Sequence, residues 1–164
     1  MRVPILKRGD YVIASIQSAL SDGTTMKGTE STLGVRVIPI TSDVDIVEAR
    51  MVARTLAAYV GFAGCDLVMI ATAVSEVARN IVEYAGVGEV LLSVVQNSVR
   101  RGLQVVGRDQ GPGIADIDQA MQDGYSTSQG LGLGLPGSRR LVDEFHIESK
   151  VGLGTIVTLR KWLP

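Results

Sequence analysis

The chain has 164 residues and 46% hydrophobic residues, enough for one domain with a real core. Aromatics make up only 4%, so that core must be built from Val, Ile, Leu and Ala. A formal net charge of −1 argues against a nucleic-acid or membrane-surface binder, and a single cysteine excludes an internal disulfide and fits a reducing compartment.

The N-terminus lacks the apolar core of a signal peptide, and the longest apolar stretch, near "LVMIATAV", is far too short to span a bilayer. The default expectation is a soluble, cytoplasmic protein. "YVIASIQSAL" (11–20) is rich in β-branched residues and reads as a strand, and the small polar residues of 21–32 read as a linker. "LGVRVIPI" (33–40) reads as a second strand with its valines and isoleucines on one face. Ser42 and Asp43 are candidate N-caps of a helix to about Val60, with an apolar stripe of Val52, Leu56, Tyr59 and Val60.

The next helix, about Cys65 to Tyr84, is the clearest element. Leu67, Ile70, Val74, Ala78, Ile81 and Ala85 follow spacings of 3, 4, 4, 3 and 4, which is one core stripe. Gly86 lies where a stop is expected. Thr72, Glu76, Asn80 and Glu83 form the opposite face, and Cys65 reads as a small core residue. Residues 89–109 read as a hairpin with its turn near Ser98 to Gly102. A tight "DQGPGI" turn, a short helix near Asp116 to Met121 and a polar loop over 123–129 follow. A helix from Gly137 to Phe145 and two strands around a Gly turn complete the chain. His146 has no companions to make a metal site. The order β, α, α, β, β, α, β, β predicts an α+β fold, a two-layer sandwich with a mixed, mostly antiparallel sheet and helices on one face.

Three segments carry candidate chemistry. The first, Gly132-Leu-Gly-Leu-Pro-Gly137, spells G-x-G-x-x-G. A dinucleotide fingerprint requires the glycines directly after a strand, and here a polar loop precedes them. A P-loop requires Lys where Ser138 stands. What remains is an anion site made by backbone N–H groups at a helix start, or a flexible loop without a ligand. The second, Asp109-Gln-Gly111-Pro-Gly113, ends a strand with a carboxylate that can accept from a planar amine such as that of adenine; an ordinary Asp-containing turn looks the same. The third, Glu76-Val-Ala-Arg-Asn80, sets a carboxylate and an amide one helical turn apart. The amide oxygen suits Mg²⁺ and the carboxylate suits a general base, while the plain alternative is a solvated helix face.

In this order, and followed by Gly154-Thr155 in a late strand, the three motifs resemble the N box and the two glycine boxes of the GHKL ATP-binding superfamily of Bergerat fold, over about residues 34 to 163. "SEVARN", "DQGPGI", "MQDGYSTS", "GLGLGLPG", "RRLVDEF" and the terminal "KWL" are most similar to bacterial serine/threonine kinases of partner-switching modules, the stressosome switch kinases of the RsbT type.

The resemblance implies ATP and Mg²⁺ as ligands and a role for each matching residue. Asp109 would hold the adenine amine with Thr155 nearby, and Gly111 and Gly113 would shape the adenine pocket. Asn80 would be the Mg²⁺ ligand. Gly130, Gly132 and Gly134 would offer N–H groups to the phosphates, residues 114 to 129 would form a lid, and Glu76 would be the general base. The implied substrates are STAS-domain antagonist proteins, RsbS-like and RsbR-like, with a phosphatase or other regulator downstream. The alternative is a nucleotide-gated anti-sigma or antagonist-binding regulator with little catalysis; a simple ATPase without a protein acceptor is a third reading. Related anti-sigma kinases carry a basic residue before the second glycine box, whereas residues 126–129 hold none, leaving Arg79, Arg139 and Arg140 as candidates for the γ-phosphate or as plain surface charges. Residues 1–22 resemble the opening of an RsbS-type STAS antagonist. The expected division is an extension or linker over 1–25 and an ATP-binding kinase domain over 26–164, the bland alternative for the extension being a strand that covers a sheet edge.

Overall fold

The structure, a computed structural model, describes residues 30–122 and 134–164. The expected strand at 11–20, the linker up to residue 29, the loop from 123 and the glycines Gly130 and Gly132 lie outside the described residues. Strand β1 (Glu30–Ile40) leads through Thr41 and Ser42 into helix α1 (Asp43–Val60), and a short turn leads into helix α2 (Cys65–Asn80). Strands β2 (Gly88–Asn97) and β3 (Arg101–Asp109) form the expected hairpin. Then come a single turn of helix, α3 (Ile117–Ala120), helix α4 (Gly134–Leu141), and strands β4 (Glu144–Lys150) and β5 (Gly154–Trp162).

The five strands stand in the order β1-β2-β3-β5-β4, and every described pair is antiparallel, so the expected mixture reduces to one direction rule. Alternation along the strands decides what the helices cover. Val90, Leu92, Val94, Leu103, Val105, Val157 and Leu159 are buried in one core with Ile70, Val74 and Val77 of α2 and Val52, Leu56 and Val60 of α1. β1 corrects one expectation. Its valines and isoleucines do not share a face: Ile38 and Ile40 are buried, whereas Val35 and Val37 are 57% and 46% exposed. Odd and even positions of a strand point to opposite sides, and the bulge between Leu33 and Val35 at Gly34, with φ +57°, does not alter that parity afterwards.

The helix ends follow local chemistry. Ser42 is the N-cap of α1, and Asp45 Oδ2 accepts the backbone N–H groups of Thr41 at 2.8 Å and Ser42 at 2.9 Å. Those bonds, with the Thr41 backbone first, hold the Asp45 carboxyl below the ordinary carboxylate value. At the other end Gly61 takes φ +120°, and its N–H and that of Phe62 close on the carbonyl of Ala57. Cys65 is exposed, not a core residue. It sits five positions before buried Ile70, about 140° round the helix from the stripe that faces the sheet. The stripe is otherwise as expected, with Leu67 and Ala85 only half-buried.

The helix expected to run on to Tyr84 changes its winding at Ile81. Residues Ile81–Ala85 make one π turn, closed by the N–H of Gly86 on the carbonyl of Ile81 at 2.8 Å. α4 begins at Gly134 and ends at Leu141, earlier at both ends than expected. Pro136 is at home in the first turn, where an N–H has no helical partner anyway. Phe145 belongs to β4, where it alternates with Ile147. The chain is turned into that strand by Asp143: its N–H bonds the carbonyl of Arg160 at 2.9 Å, and its Oδ2 accepts the N–H of Trp162 at 2.7 Å. Among the described residues no helix is long and apolar enough to cross a membrane.

Candidate functional site

Glu76 and Asn80 lie one turn apart near the C-terminal end of α2. Glu76 is only 6% exposed, which removes the reading of a solvated helix face. A carboxylate is costly to bury unless it is hydrogen-bonded, and here the partner is in the glycine-rich segment: Oε2 accepts the backbone N–H of Gly134 at 2.9 Å. Gly134 is the first residue of α4 and takes φ +61°, in the left-handed region that favours glycine. The fully buried Ser138 ties the same turn down, its hydroxyl donating to the Gly134 carbonyl at 2.9 Å. Asn80 is half-buried at the junction of α2 with the π turn, a winding that often marks functional positions.

Asp109, at the end of β3, and Thr155, at the start of β5, line one cleft of about 870 Å³. Asp109 Oδ1 accepts the N–H of Gly111 at 2.8 Å, an Asx turn that fixes the carboxyl plane and leaves Oδ2 with no bond among the described residues. Ser149 of β4 lies across from Thr155 in the strand register, and the two hydroxyls are 2.8 Å apart. The cleft also takes in Glu89 and Arg108, which pair with each other, and Glu148 and Lys150. Glu76, Asn80 and Gly134 are not among its walls. Two groupings therefore result: Asp109 with Thr155, and Glu76 with Gly134, the latter on the helical layer.

Gly111 and Gly113 owe their identity to backbone approach within the protein. A Cβ on Gly111 would meet that of Ala85 at 2.6 Å, and one on Gly113 would meet the Lys150 carbonyl at 2.3 Å. Gly154 is the tightest of the set: at φ +106°, its Cβ would lie 2.1 Å from the carbonyl oxygen of Asp109. The two ends of β3 and β5 thus touch backbone to backbone beside the cleft. Of the lid expected over 114–129, residues up to Gln122 are described, with α3 capped by Asp116, whose carboxylate accepts the N–H of Gln119 at 2.9 Å. Arg79, Arg139 and Arg140 are all exposed. His146 faces outward on β4, with Nε2 at 2.9 Å from Glu148.

Two functional features had no motif to announce them. Ser149 is an ordinary serine in a short strand, and only the β4–β5 register puts it beside Thr155. The burial of Glu76 depends on α4 packing against α2, a contact between segments 58 residues apart. Among the described residues no three His, Cys, Asp or Glu side chains gather as a metal cluster. A magnesium ion bound through one amide oxygen and the phosphates of a nucleotide needs no such cluster, so Asn80 fits that role by its chemistry.

The family described as histidine kinase-like ATPase domain matches residues 40–161. The serine/threonine-protein kinase RsbT of Bacillus subtilis (strain 168) is 48% identical over 126 residues, covering 77% of this chain and 95% of that protein. The anti-sigma F factor of Geobacillus thermodenitrificans (strain NG80-2) is 36% identical over 104 residues, 58% of this chain and 69% of that one. Among solved structures, the RsbU and RsbW domains of Rv1364c from Mycobacterium tuberculosis share the fold at a TM-score of 0.50 and 21% identity, covering 79% of this chain. This chain spans 33% of that longer protein.

Proposed function

The chain belongs to the histidine kinase-like ATPase domain family, and from that membership we propose that it is an ATP-dependent serine/threonine protein kinase acting on STAS-domain antagonists of a bacterial partner-switching module. The observation that carries the reading is the buried Glu76 carboxylate at the start of the glycine-rich helix. It joins the motif suited to base chemistry to the backbone suited to phosphate.

In this reading Asp109 Oδ2 and Thr155 receive the adenine amine, and the N–H groups of Gly130 and Gly132 would serve the phosphates, whereas the N–H of Gly134, given to Glu76, holds the base instead of the ligand. Asn80 would supply an oxygen to Mg²⁺, which would neutralise phosphate charge when bound. Glu76 Oε1, which has no bond among the described residues, takes the proton of the acceptor hydroxyl while Oε2 keeps its bond to Gly134. Phosphoryl transfer is mostly positioning and charge neutralisation, so the cradle carries more of the rate than the base. Residues 26–164 would be the kinase domain, resident in the cytoplasm, and 1–25 a separable extension.

A second reading, a nucleotide-gated regulator with little catalysis, is favoured by the similarity to anti-sigma F factors. Incubating the protein with ATP and an RsbS-like or RsbR-like STAS protein, then reading the acceptor by intact-mass spectrometry, separates the two. A gain of one phosphate on a Ser or Thr supports the kinase. ATP binding with an unmodified acceptor leaves the regulator.

A further inference from the structure

Three polar groups meet the Ser149 hydroxyl, and one arrangement of protons satisfies all three contacts. The Ser149 hydroxyl donates to the carbonyl of Gly154 at 3.0 Å, an oxygen that can only accept. It receives the N–H of Ile114 at 2.8 Å, a group that can only donate. Its remaining contact is the Thr155 hydroxyl at 2.8 Å. A serine hydroxyl has one proton and two lone pairs. The proton is spent on Gly154 and one lone pair on Ile114. With all three contacts made, the second lone pair takes the proton of Thr155.

We propose that Ser149 is a positioning residue that fixes the polarity of Thr155 and thereby selects the base of the bound nucleotide. With its proton committed to Ser149, Thr155 presents only lone pairs to the cleft that it shares with Asp109. The Asp109 carboxylate likewise only accepts. Two acceptors side by side favour a purine bearing an exocyclic amine, a double donor. They disfavour a purine with a carbonyl oxygen at that place, which brings lone pairs against lone pairs. This rests on the proposal that Asp109 and Thr155 receive the base. Ser149 also draws Ile114, just past the Asp109 turn, and Gly154 to one point, so polarity and placement come from the same hydroxyl.

The test compares ATP with inosine triphosphate, which has a carbonyl at C6 and a proton on N1 in place of the amine and the bare N1, by calorimetry on the full chain. The wild-type protein is expected to prefer ATP. Ser149→Ala frees the Thr155 proton to donate, so the preference should fall by about tenfold, the worth of one hydrogen bond. Ser149→Thr keeps the hydroxyl and should keep the preference. Thr155→Val leaves the bonds of Ser149 to Ile114 and Gly154 intact and should also lower the preference, which keeps the test usable if Ser149→Ala does not fold. A residue with a merely structural role would weaken both nucleotides alike. An unchanged ratio in Ser149→Ala and Thr155→Val, or a wild-type protein that binds both nucleotides equally, overturns the inference. A wild-type protein that binds neither nucleotide overturns the ATP reading of the site itself.

Discussion

Glu76 accepts the backbone N–H of Gly134 at 2.9 Å, joining the last turns of α2 to the first turn of α4 across 58 residues of sequence. The bond places a buried negative charge at the positive end of a helix dipole, where it is stabilised. It also makes the proposed base and the proposed phosphate-binding segment neighbours through the backbone.

Glu76→Gln keeps the shape and an oxygen that can accept from Gly134, but removes the base. Mg·ATP binding should be nearly normal, while phosphotransfer falls by roughly 10²–10⁴-fold, the usual contribution of a general base. Because loose transition states need little base assistance, the loss should sit toward the low end. Single-turnover transfer to a STAS protein, measured beside ATP affinity, checks this. Wild-type transfer rates would remove Glu76 from the catalytic role.

Asn80→Ala should behave differently, weakening Mg·ATP binding and turnover together. The missing amide oxygen serves the ground state as well as the transition state. Titrating ATP with and without magnesium separates the effects: a variant that loses nothing in magnesium buffer would show that the amide is not a ligand.

Asp109→Asn should lose roughly 1.5–3 kcal/mol of nucleotide affinity, about one to two decades, through the loss of a charge-assisted bond. The Asn Oδ1 can still accept from Gly111, so the turn and the fold should persist. Calorimetry on a variant shown to be folded by circular dichroism is decisive, and unchanged affinity would count against the assignment.

Gly107→Ala and Gly154→Ala divide stability from binding. A Cβ at Gly107 would meet Val77 Cγ1 at 2.2 Å inside the core, and Gly107 is not itself one of the cleft walls. The expected cost is about 1–3 kcal/mol of stability with nucleotide affinity retained by the folded fraction. A Cβ at Gly154 would press on the Asp109 carbonyl and should cost affinity as well. Thermal melting and binding measured on both variants give the comparison; equal affinities would mean that the Asp109 backbone is free to give way.

The α1 cap makes a pH prediction with a definite sign. The Asp45 carboxyl is held below the ordinary carboxylate value, so it contributes stability above that ordinary value and loses it as the pH falls through the lowered folded value. Asp45→Ala should therefore melt below the wild type at pH 7, and the gap should close in strong acid. A gap that is constant with pH would show that the side chain acts without its charge.

The architecture was legible because period and punctuation agreed. The α2 stripe, the hairpin turn and the Gly86 stop all fell where the residues put them. Expectations failed where a residue's type outweighed its phase. Val35 and Val37 are as β-branched as Ile38 and Ile40 yet point the other way, and Cys65 is small and apolar yet lies off the stripe. Asp109 and Thr155 were legible as motifs. The burial of Glu76 and the hydroxyl pair at Ser149 were not, because both arise from contacts between distant segments that no local pattern encodes.

The π turn at Ile81–Ala85 fits five residues where a regular turn uses fewer, and it delivers Ala85 against Gly111. Here the chain is tuned by its count as well as its chemistry. The wider winding takes up an extra residue within one turn, so the number of residues in this stretch, together with Gly111, sets where the helical layer meets the end of β3.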